Sequence, residues 1–179
     1  NNWVVTHKSL GTEMQDYYTI LNGTDASSNS NDIFGGEPTT SVFSTTNNVA
    51  SNDNQVAYCF TSIKGYSKIG TYTGNGSSDG TFIYTGFKPA WFLAKRSVGG
   101  TSHWTMLDTL RNPFNLAENY LHANEQNAEN NNNQKADFLS NGIKLRSANR
   151  HNNDGDTFIY LAFAEHPFVS SKGIPVTAR

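Results

Sequence analysis

The sequence predicts an all-β protein, an antiparallel β-sandwich of lectin-like or jelly-roll type, and three observations support this prediction. First, one phrase occurs twice: Thr81–Phe87 follows an Asp-Gly turn, and Thr157–Phe163 follows a second Asp/Gly turn. Second, both phrases are short runs of β-branched and aromatic residues, which fit a pleated, half-buried surface. Third, no helical segment long enough to connect parallel strands lies between such runs. A closed barrel is the alternative architecture.

Strand signals follow one another along the whole chain. Residues 24–32 and 45–54 are polar turn and loop sequence. Short links between residues 67 and 108 predict an antiparallel meander, and Asn141-Gly142 between two apolar runs predicts a hairpin. The predicted strands are Trp3–Lys8, Tyr17–Asn22, Thr40–Ser44, Gln55–Ser62, Ser67–Thr73, Thr81–Thr85, Ala90–Arg96, Thr101–Asp108, Ala136–Leu139, Ile143–Leu145 and Thr157–Glu165.

The length of 179 residues fits one domain over 1–179, with a long Asn-rich polar insert at 113–135 and an irregular tail at 169–179. Leu116–Glu129 has the composition for a turn or two of helix. The run Asn130–Asn133 is polar low-complexity sequence, which predicts a mobile loop that buries nothing. The chain begins at Asn1, so we interpret it as a processed or trimmed product, or as part of a longer protein.

Composition limits the classes of function. Charged residues make up only 16% of the chain, and the 12% of aromatic residues supply much of the core area. A surface of amides and hydroxyls is typical of an extracellular or virion-exposed β protein. The net charge of -2 and the scattered Lys and Arg argue against nucleic-acid binding, and no apolar run suggests membrane insertion. The single cysteine, Cys59, is predicted to be a small buried hydrophobe.

Catalytic and metal motifs are lacking in the sequence, so we predict a protein that is not an enzyme and needs no cofactor. The five histidines show no metal-ligand spacing and are interpreted as surface or loop residues. Asn152–Asp156 is the best calcium candidate, because clustered side-chain oxygens before a glycine can surround Ca²⁺. The same residues are also ordinary hairpin sequence.

Residues around Trp104 predict a sugar site, because aromatic rings stack on pyranoses while polar groups bind hydroxyls. One aromatic residue does not make a sugar site by itself, and a place in the core is the favoured interpretation for both Trp91 and Trp104. Lys95, Arg96 and Arg111 are candidates to pair with Asp108 across adjacent strands. The candidate ligand-binding residues are His103, Trp104, Asp108, Arg111, Tyr120 and His122.

A series of phrases covers nearly the whole chain in a fixed order. They include Trp3–Lys8, Pro38–Phe43, Val56–Phe60, Gly65–Gly76, Gly86–Trp91, Arg111–Pro113, Phe138–Arg146, Tyr160–Phe168 and Ala178–Arg179. In these phrases the chain resembles a β-rich domain that recurs in virion structural proteins of marine tailed bacteriophages, in tail fibres and other appendages. The Asn-rich insert at 124–134 and the tail at 169–177 depart from that pattern.

The resemblance implies a place on a phage particle, exposed at its surface. The leading hypothesis is therefore a non-enzymatic virion protein that adheres to a host-surface glycan. Weak sites become effective when arrayed, so we expect a homotrimer or higher symmetric assembly with other virion proteins as neighbours. The alternatives are a purely structural virion subunit, either a capsid decoration or a connector, and, more remotely, a glycan-cleaving enzyme.

Overall fold

The computed structural model describes residues 2–30, 33–47, 49 and 54–170, and these form an all-β fold with antiparallel sheets. Two short 3₁₀ turns occur at Met14–Asp16 and Arg150–Asn152. The strands are β1 Val4–Val5, β2 Tyr17–Ile20, β3 Ser28–Asn29, β4 Ser67–Thr73, β5 Phe82–Tyr84, β6 Pro89–Val98, β7 Thr105–Asp108, β8 Tyr120–His122, β9 Ala136–Leu139, β10 Gly142–Leu145 and β11 Thr157–Ala164.

These strands build three sheets. The largest has five strands in the order β4-β11-β6-β7-β8, and two sheets of three strands have the orders β5-β10-β9 and β1-β2-β3. Strand β11 lies inside the large sheet and pairs along its length with β4 and β6. Within the described residues all three sheets are open, so the closed-barrel alternative is wrong.

The main core lies between the five-stranded sheet and the β5-β10-β9 sheet, a sandwich-like arrangement. Alternate residues of β11 face opposite sides of its sheet. Phe158 and Tyr160 belong to the main core, together with Ile83 and Ile143 from the facing sheet. Ile159 belongs to a second cluster, which packs the β1-β2-β3 region against the other face. The large sheet is therefore covered on both faces.

The second cluster contains Trp104, which is 4% exposed and whose indole Nε1 donates to the Ile20 carbonyl at 2.8 Å. This position confirms the predicted place in the core for Trp104. Lys95 is fully buried on the same side of the sheet, and its Nζ donates to the carbonyls of Thr24 and Arg96 at 3.0 and 3.1 Å. The second layer is thus held by hydrogen bonds as well as by apolar contacts.

Several strand predictions are confirmed, including β4, β6 and β11, and the Asn141-Gly142 turn joins β9 to β10 as predicted. The meander is confirmed only for β6 and β7, which pair antiparallel; it is wrong for β5, which leaves the large sheet and pairs with β10. Residues 40–44 and 55–62 are not strands. The prediction of a buried Cys59 is also wrong, because this thiol is exposed.

The 113–135 region differs from its prediction in two ways. Leu116–Glu129 contains no helix; instead Tyr120–His122 pairs with the edge of β7, since tertiary pairing outweighs a weak helix propensity. The Asn-rich run is also anchored: the backbones of Asn130 and Tyr120 exchange hydrogen bonds at 2.8 and 3.0 Å, and Gln134 is buried. The predicted tail beyond residue 170, with Ala178–Arg179, lies outside the described residues.

Candidate functional site

A cavity of about 280 Å³ opens at one end of the main core. Strand alternation explains its composition, because Arg96 follows Ala94 by two positions on β6 and His122 follows Tyr120 by two on β8. We name this cavity the histidine pocket. Its lining consists of Thr24, Ala94, Arg96, Thr101, Ser102, His103, Thr105, His122, Gln134, Arg150, His151 and Phe158.

His103 and His122 stack on one another at the pocket, with ring centroids 4.5 Å apart. The His103 Nδ1 lies 3.1 Å from Glu125 Oε1 and 3.0 Å from Asn124 Nδ2. With a proton on Nδ1 this nitrogen donates to Glu125, and without one it accepts from Asn124. Burial, followed by the field of His103, lowers the pKa of His122, whose Nδ1 has no hydrogen-bond partner among the described residues.

His151 forms the buried floor of the pocket. Its Nδ1 lies 2.9 Å from Gln134 Oε1, which also accepts the hydroxyl of Thr105 at 2.5 Å. Because an amide oxygen can only accept, Nδ1 carries the ring proton. Burial lowers the pKa of His151 to about 4, so the ring is neutral at pH 7. Its Nε2 is then an acceptor, and no described residue donates to it.

Two arginines supply positive charge at the pocket. Arg96 forms an ion pair with Asp156, Nε to Oδ2 at 3.1 Å, and its Nη2 donates to the Arg150 carbonyl at 3.3 Å. The Arg96 guanidinium also lies 5.9 Å from the ring centroid of Phe158. Asp156 sits directly against Gly99, whose φ of +107° and lack of a side chain leave space for the carboxylate. Arg96 is thereby fixed at the pocket wall.

Arg150 has a φ of +60°, a left-handed conformation that a non-glycine residue adopts at a cost of order 1 kcal/mol. Such conformations occur more often at functional sites than elsewhere. Its charge contributes to the lowered pKa of His122, so the guanidinium acts on the pocket. The lining residues include two arginines and three histidines but no carboxylate. The pocket therefore favours electron-rich groups.

The structure brings only some of the predicted ligand-binding residues together. His103 and His122 line the pocket, whereas Tyr120 lies beneath His122 at 5.2 Å, buried, with its hydroxyl donating to Asn132 at 3.2 Å. Trp104 is buried in the second cluster and offers no open ring face. Histidines were expected at surfaces and in loops, yet His7 and His151 are buried.

Asp108 and Arg111 lie at the opposite end of β7 from the histidine pocket. Arg111 pairs with Asp108, with Nε 3.3 Å from Oδ2, but three residues along the chain and not across adjacent strands as predicted. Arg111 Nε also lies 3.2 Å from Glu129 Oε2. Together with Ala90, Trp91 and Leu110 they line a shallow open depression. The other two cations proposed for Asp108 have different partners, since Arg96 pairs with Asp156 and Lys95 bonds to carbonyls.

Sequence reasoning missed Arg96 as a pocket residue, along with Gln134, Arg150 and His151. The alternation of side chains along a strand could have identified Arg96, because it shares the inward face of β6 with Ala94. No local signal marks the other three, which lie in polar stretches that resemble surface loop. Their roles depend on contacts with strands that are distant in the sequence.

The calcium candidate, Asn152–Asp156, has another structural role. The amide Nδ2 of Asn152 lies within 2.9 Å of Asn75 Oδ1 and of the Ser77 carbonyl, and 2.8 Å from the Ser147 carbonyl. This fully buried amide thus connects the β4–β5 turn with Ser147 and with its own 3₁₀ turn. Among the described residues, no group of three or more His, Cys, Asp or Glu side chains has an arrangement that would hold a metal ion.

Comparison with known proteins identifies the family. Residues 1–167 match the family model of DUF7483, a domain of unknown function, so the chain belongs to that family. Searches of curated proteins and of solved structures gave no match. Within the described part of the chain, no helix has the length and hydropathy that a membrane span requires.

Proposed function

We propose that this protein is a non-enzymatic bacteriophage virion module that adheres to the host surface by binding a glycan in the histidine pocket. The main observation in support of this proposal is the buried, neutral His151, whose Nε2 acceptor has no partner among the described residues of the pocket. A buried acceptor without a partner costs about 1–3 kcal/mol, and a hydroxyl donor from a ligand would remove that cost.

The remaining lining groups suit the same class of ligand. Sugar hydroxyls both donate and accept, so they complement an imidazole acceptor, threonine and serine hydroxyls, and guanidinium donors. The volume of about 280 Å³ lies near the lower end of ligand pockets, which fits one sugar ring better than a longer oligosaccharide. The remainder of a glycan would extend outward over His103.

The lining also favours binding over cleavage. Glycoside hydrolysis normally uses two carboxylates on opposite sides of the scissile bond. The residues that line the pocket include none, and the nearby Asp156 and Glu125 are held by Arg96 and His103 respectively. A small site of this kind gives weak affinity by itself, so adhesion would rely on several copies exposed together on the particle.

A glycan array probed with multivalent protein tests this proposal, followed by calorimetry on the hits. We expect a reproducible hit that Arg150→Ala weakens at least tenfold. Arg111→Ala, an arginine truncation in the other depression, is the matched control and should leave binding unchanged. An empty array, or a hit lost in Arg111→Ala but retained in Arg150→Ala, would contradict the proposed site.

A purely structural virion subunit is the second candidate, and one observation favours it. Residues 54–64 are all exposed and include Val56, Tyr58 and Phe60, an apolar surface of the kind that usually contacts protein. Antibody labelling of intact particles separates the candidates. Label at appendage tips supports adhesion, whereas label over the capsid or tail tube together with an empty array supports the structural role.

A further inference from the structure

Residues 55–60 have a strand-like sequence, yet they lack a strand partner in the described structure. All six residues are exposed, and Tyr58 and Phe60 are 69% and 58% exposed. Among the described residues, none exchanges a backbone hydrogen bond with this segment. Water can satisfy its backbone groups, but it does not stabilise a run of Val, Tyr and Phe side chains. The segment therefore has the properties of a strand whose neighbour is another molecule.

The segment is held in place near the body of the protein. The ring of Tyr58 stacks on Trp3 with centroids 6.3 Å apart, and Phe60 contacts Phe163 edge-on at 6.2 Å. Immediately after it, Ile63 and Ser67 exchange backbone hydrogen bonds at 3.0 Å. Such a held segment loses less entropy on binding than a mobile one would.

Strand β5 offers the complementary surface. It is an edge strand, and Thr81 and Thr85 hydrogen-bond toward β10, so the backbone groups of Phe82 and Tyr84 face the open side. Both of these side chains are also exposed. An exposed, uncharged, aromatic edge is a template for pairing with another strand.

The edge strands β9, β8 and β4 are covered by the chain itself. The Asn115 side chain bonds to both backbone groups of Phe138 on β9, at 2.9 and 3.1 Å. Asn130 covers β8 at Tyr120, and Ser62 with Ile63 covers β4. No comparable cover reaches β5 from the described residues, so β5 and the 55–60 segment are unpaired elements of the same chain.

We propose that the 55–60 segment of one copy pairs with the β5 edge of a second copy of this chain. With roughly 200 Å² for each aromatic side chain, the exposed parts of Tyr58, Phe60, Phe82 and Tyr84 give roughly 450 Å² per contact. A reciprocal pair doubles this area, and Val56 and the paired backbones bring the total to about 1,000 Å², which a specific interface needs. Neither strand carries a charge that would oppose the contact.

Disulfide trapping tests the pairing, because Cys59 is the chain's single cysteine and can be replaced without leaving another. Side chains alternate along a strand, so Cys59 faces away from Phe82 and Tyr84 when Tyr58 and Phe60 lie beside them, and the variants therefore carry Cys59→Ser with Phe60→Cys. In this background we expect Phe82→Cys or Tyr84→Cys to form covalent dimers on mild oxidation, seen on non-reducing gels. Leu110→Cys, at a position 93% exposed and outside both elements, is the control, alongside the wild type. Cross-linking at β5 no greater than in the control would overturn the proposal.

Sedimentation provides an independent measurement. The wild type should associate with increasing concentration, whereas Tyr84→Lys and Tyr58→Lys should shift the population to monomer and Leu110→Lys should not. All three positions are exposed, so circular dichroism should show an unchanged fold. A wild type that stays monomeric at the highest concentration, or variants that associate equally well, would also overturn the pairing. Because these residues lie outside the pocket, glycan binding and assembly succeed or fail separately.

Discussion

His151 and Gln134 are joined by a hydrogen bond of 2.9 Å between the imidazole Nδ1 and the amide Oε1. This bond connects the end of the Asn-rich run to the 3₁₀ turn Arg150–Asn152, and it leaves Nε2 as the acceptor nitrogen of the ring. Gln134, which directly follows the run Asn130–Asn133, thus determines which nitrogen of the His151 ring carries the proton.

The stability of the protein should increase with pH between about 4 and 6.5. The pKa of His151 is lowered to about 4 in the folded state, so the unfolded chain binds more protons throughout that window. The shift corresponds to about 3 kcal/mol, lost on acidification from pH 6.5 to 4. His151→Asn keeps a donor for Gln134 but does not titrate. The unfolding free energy of this variant, measured by urea titration, should change less between pH 4 and 6.5 than that of the wild type. The same pH dependence in both proteins would contradict this role of His151.

Gln134→Ala should destabilise the protein by about 2 kcal/mol or more, because it leaves the Thr105 hydroxyl and the His151 Nδ1 without their acceptor. Gln126→Ala, an exposed glutamine in the same loop, is the control and should cost less than about 0.5 kcal/mol. Thermal and chemical denaturation measure the loss of stability in each of the two variants. Equal effects would mean that the loop is not anchored through Gln134.

Asn152→Ala should cost about 2–3 kcal/mol, since the amide is fully buried and its Nδ2 faces three oxygen acceptors. Asn152→Asp should cost more, because a carboxylate would face the Ser77 and Ser147 carbonyls without protons to share. Asn153→Ala, at the neighbouring half-buried position, is the control. Denaturation midpoints measure the stability of each variant. A higher midpoint for Asn152→Asp than for Asn152→Ala would refute this account of the turn.

Between about pH 8 and 9.5 the stability should rise again. Burial lowers the pKa of Lys95 to about 8, so in this range the unfolded chain holds a proton that the folded chain has released. Above that range tyrosine acts in the opposite direction, since burial raises the pKa of Tyr72 and of Tyr160. Lys95→Met should lack the rise, which chemical denaturation across this window would show. A variant with the same rise would exclude Lys95 as its source.

Local sequence predicted strands well where side-chain pattern alone defines them. The repeated phrase became β5 and β11, each with an inward-facing isoleucine or phenylalanine, and Asn141-Gly142 formed its hairpin. Strand partners were less predictable. Nothing in Thr81–Phe87 indicates that β5 pairs with β10 rather than with its neighbours in the chain, because pairing depends on which edge is free after the whole core has packed.

The candidate site likewise contains residues that the local sequence indicated and residues that only the tertiary fold brings together. His103 and His122 were chosen from residue type, and β7-β8 pairing brings them together through the Thr105↔His122 register. Arg150 and His151 come from a turn that is distant in sequence, and only the folded chain places them at the same cavity. Trp104 was a candidate from its residue type, although a core position was favoured for it, and the β1-β2-β3 layer covers its ring.

The loop between β8 and β9 is pinned at three points: Asn124 accepts from the Trp104 backbone, Asn130 pairs with Tyr120, and Gln134 is buried. Residues 126–129 between these pins are exposed. A foreign peptide spliced between Asn127 and Ala128 would therefore be displayed beside the pocket without displacing it. In evolution, the length and the amino-acid sequence of this stretch can therefore change while the residues that line the histidine pocket stay in place.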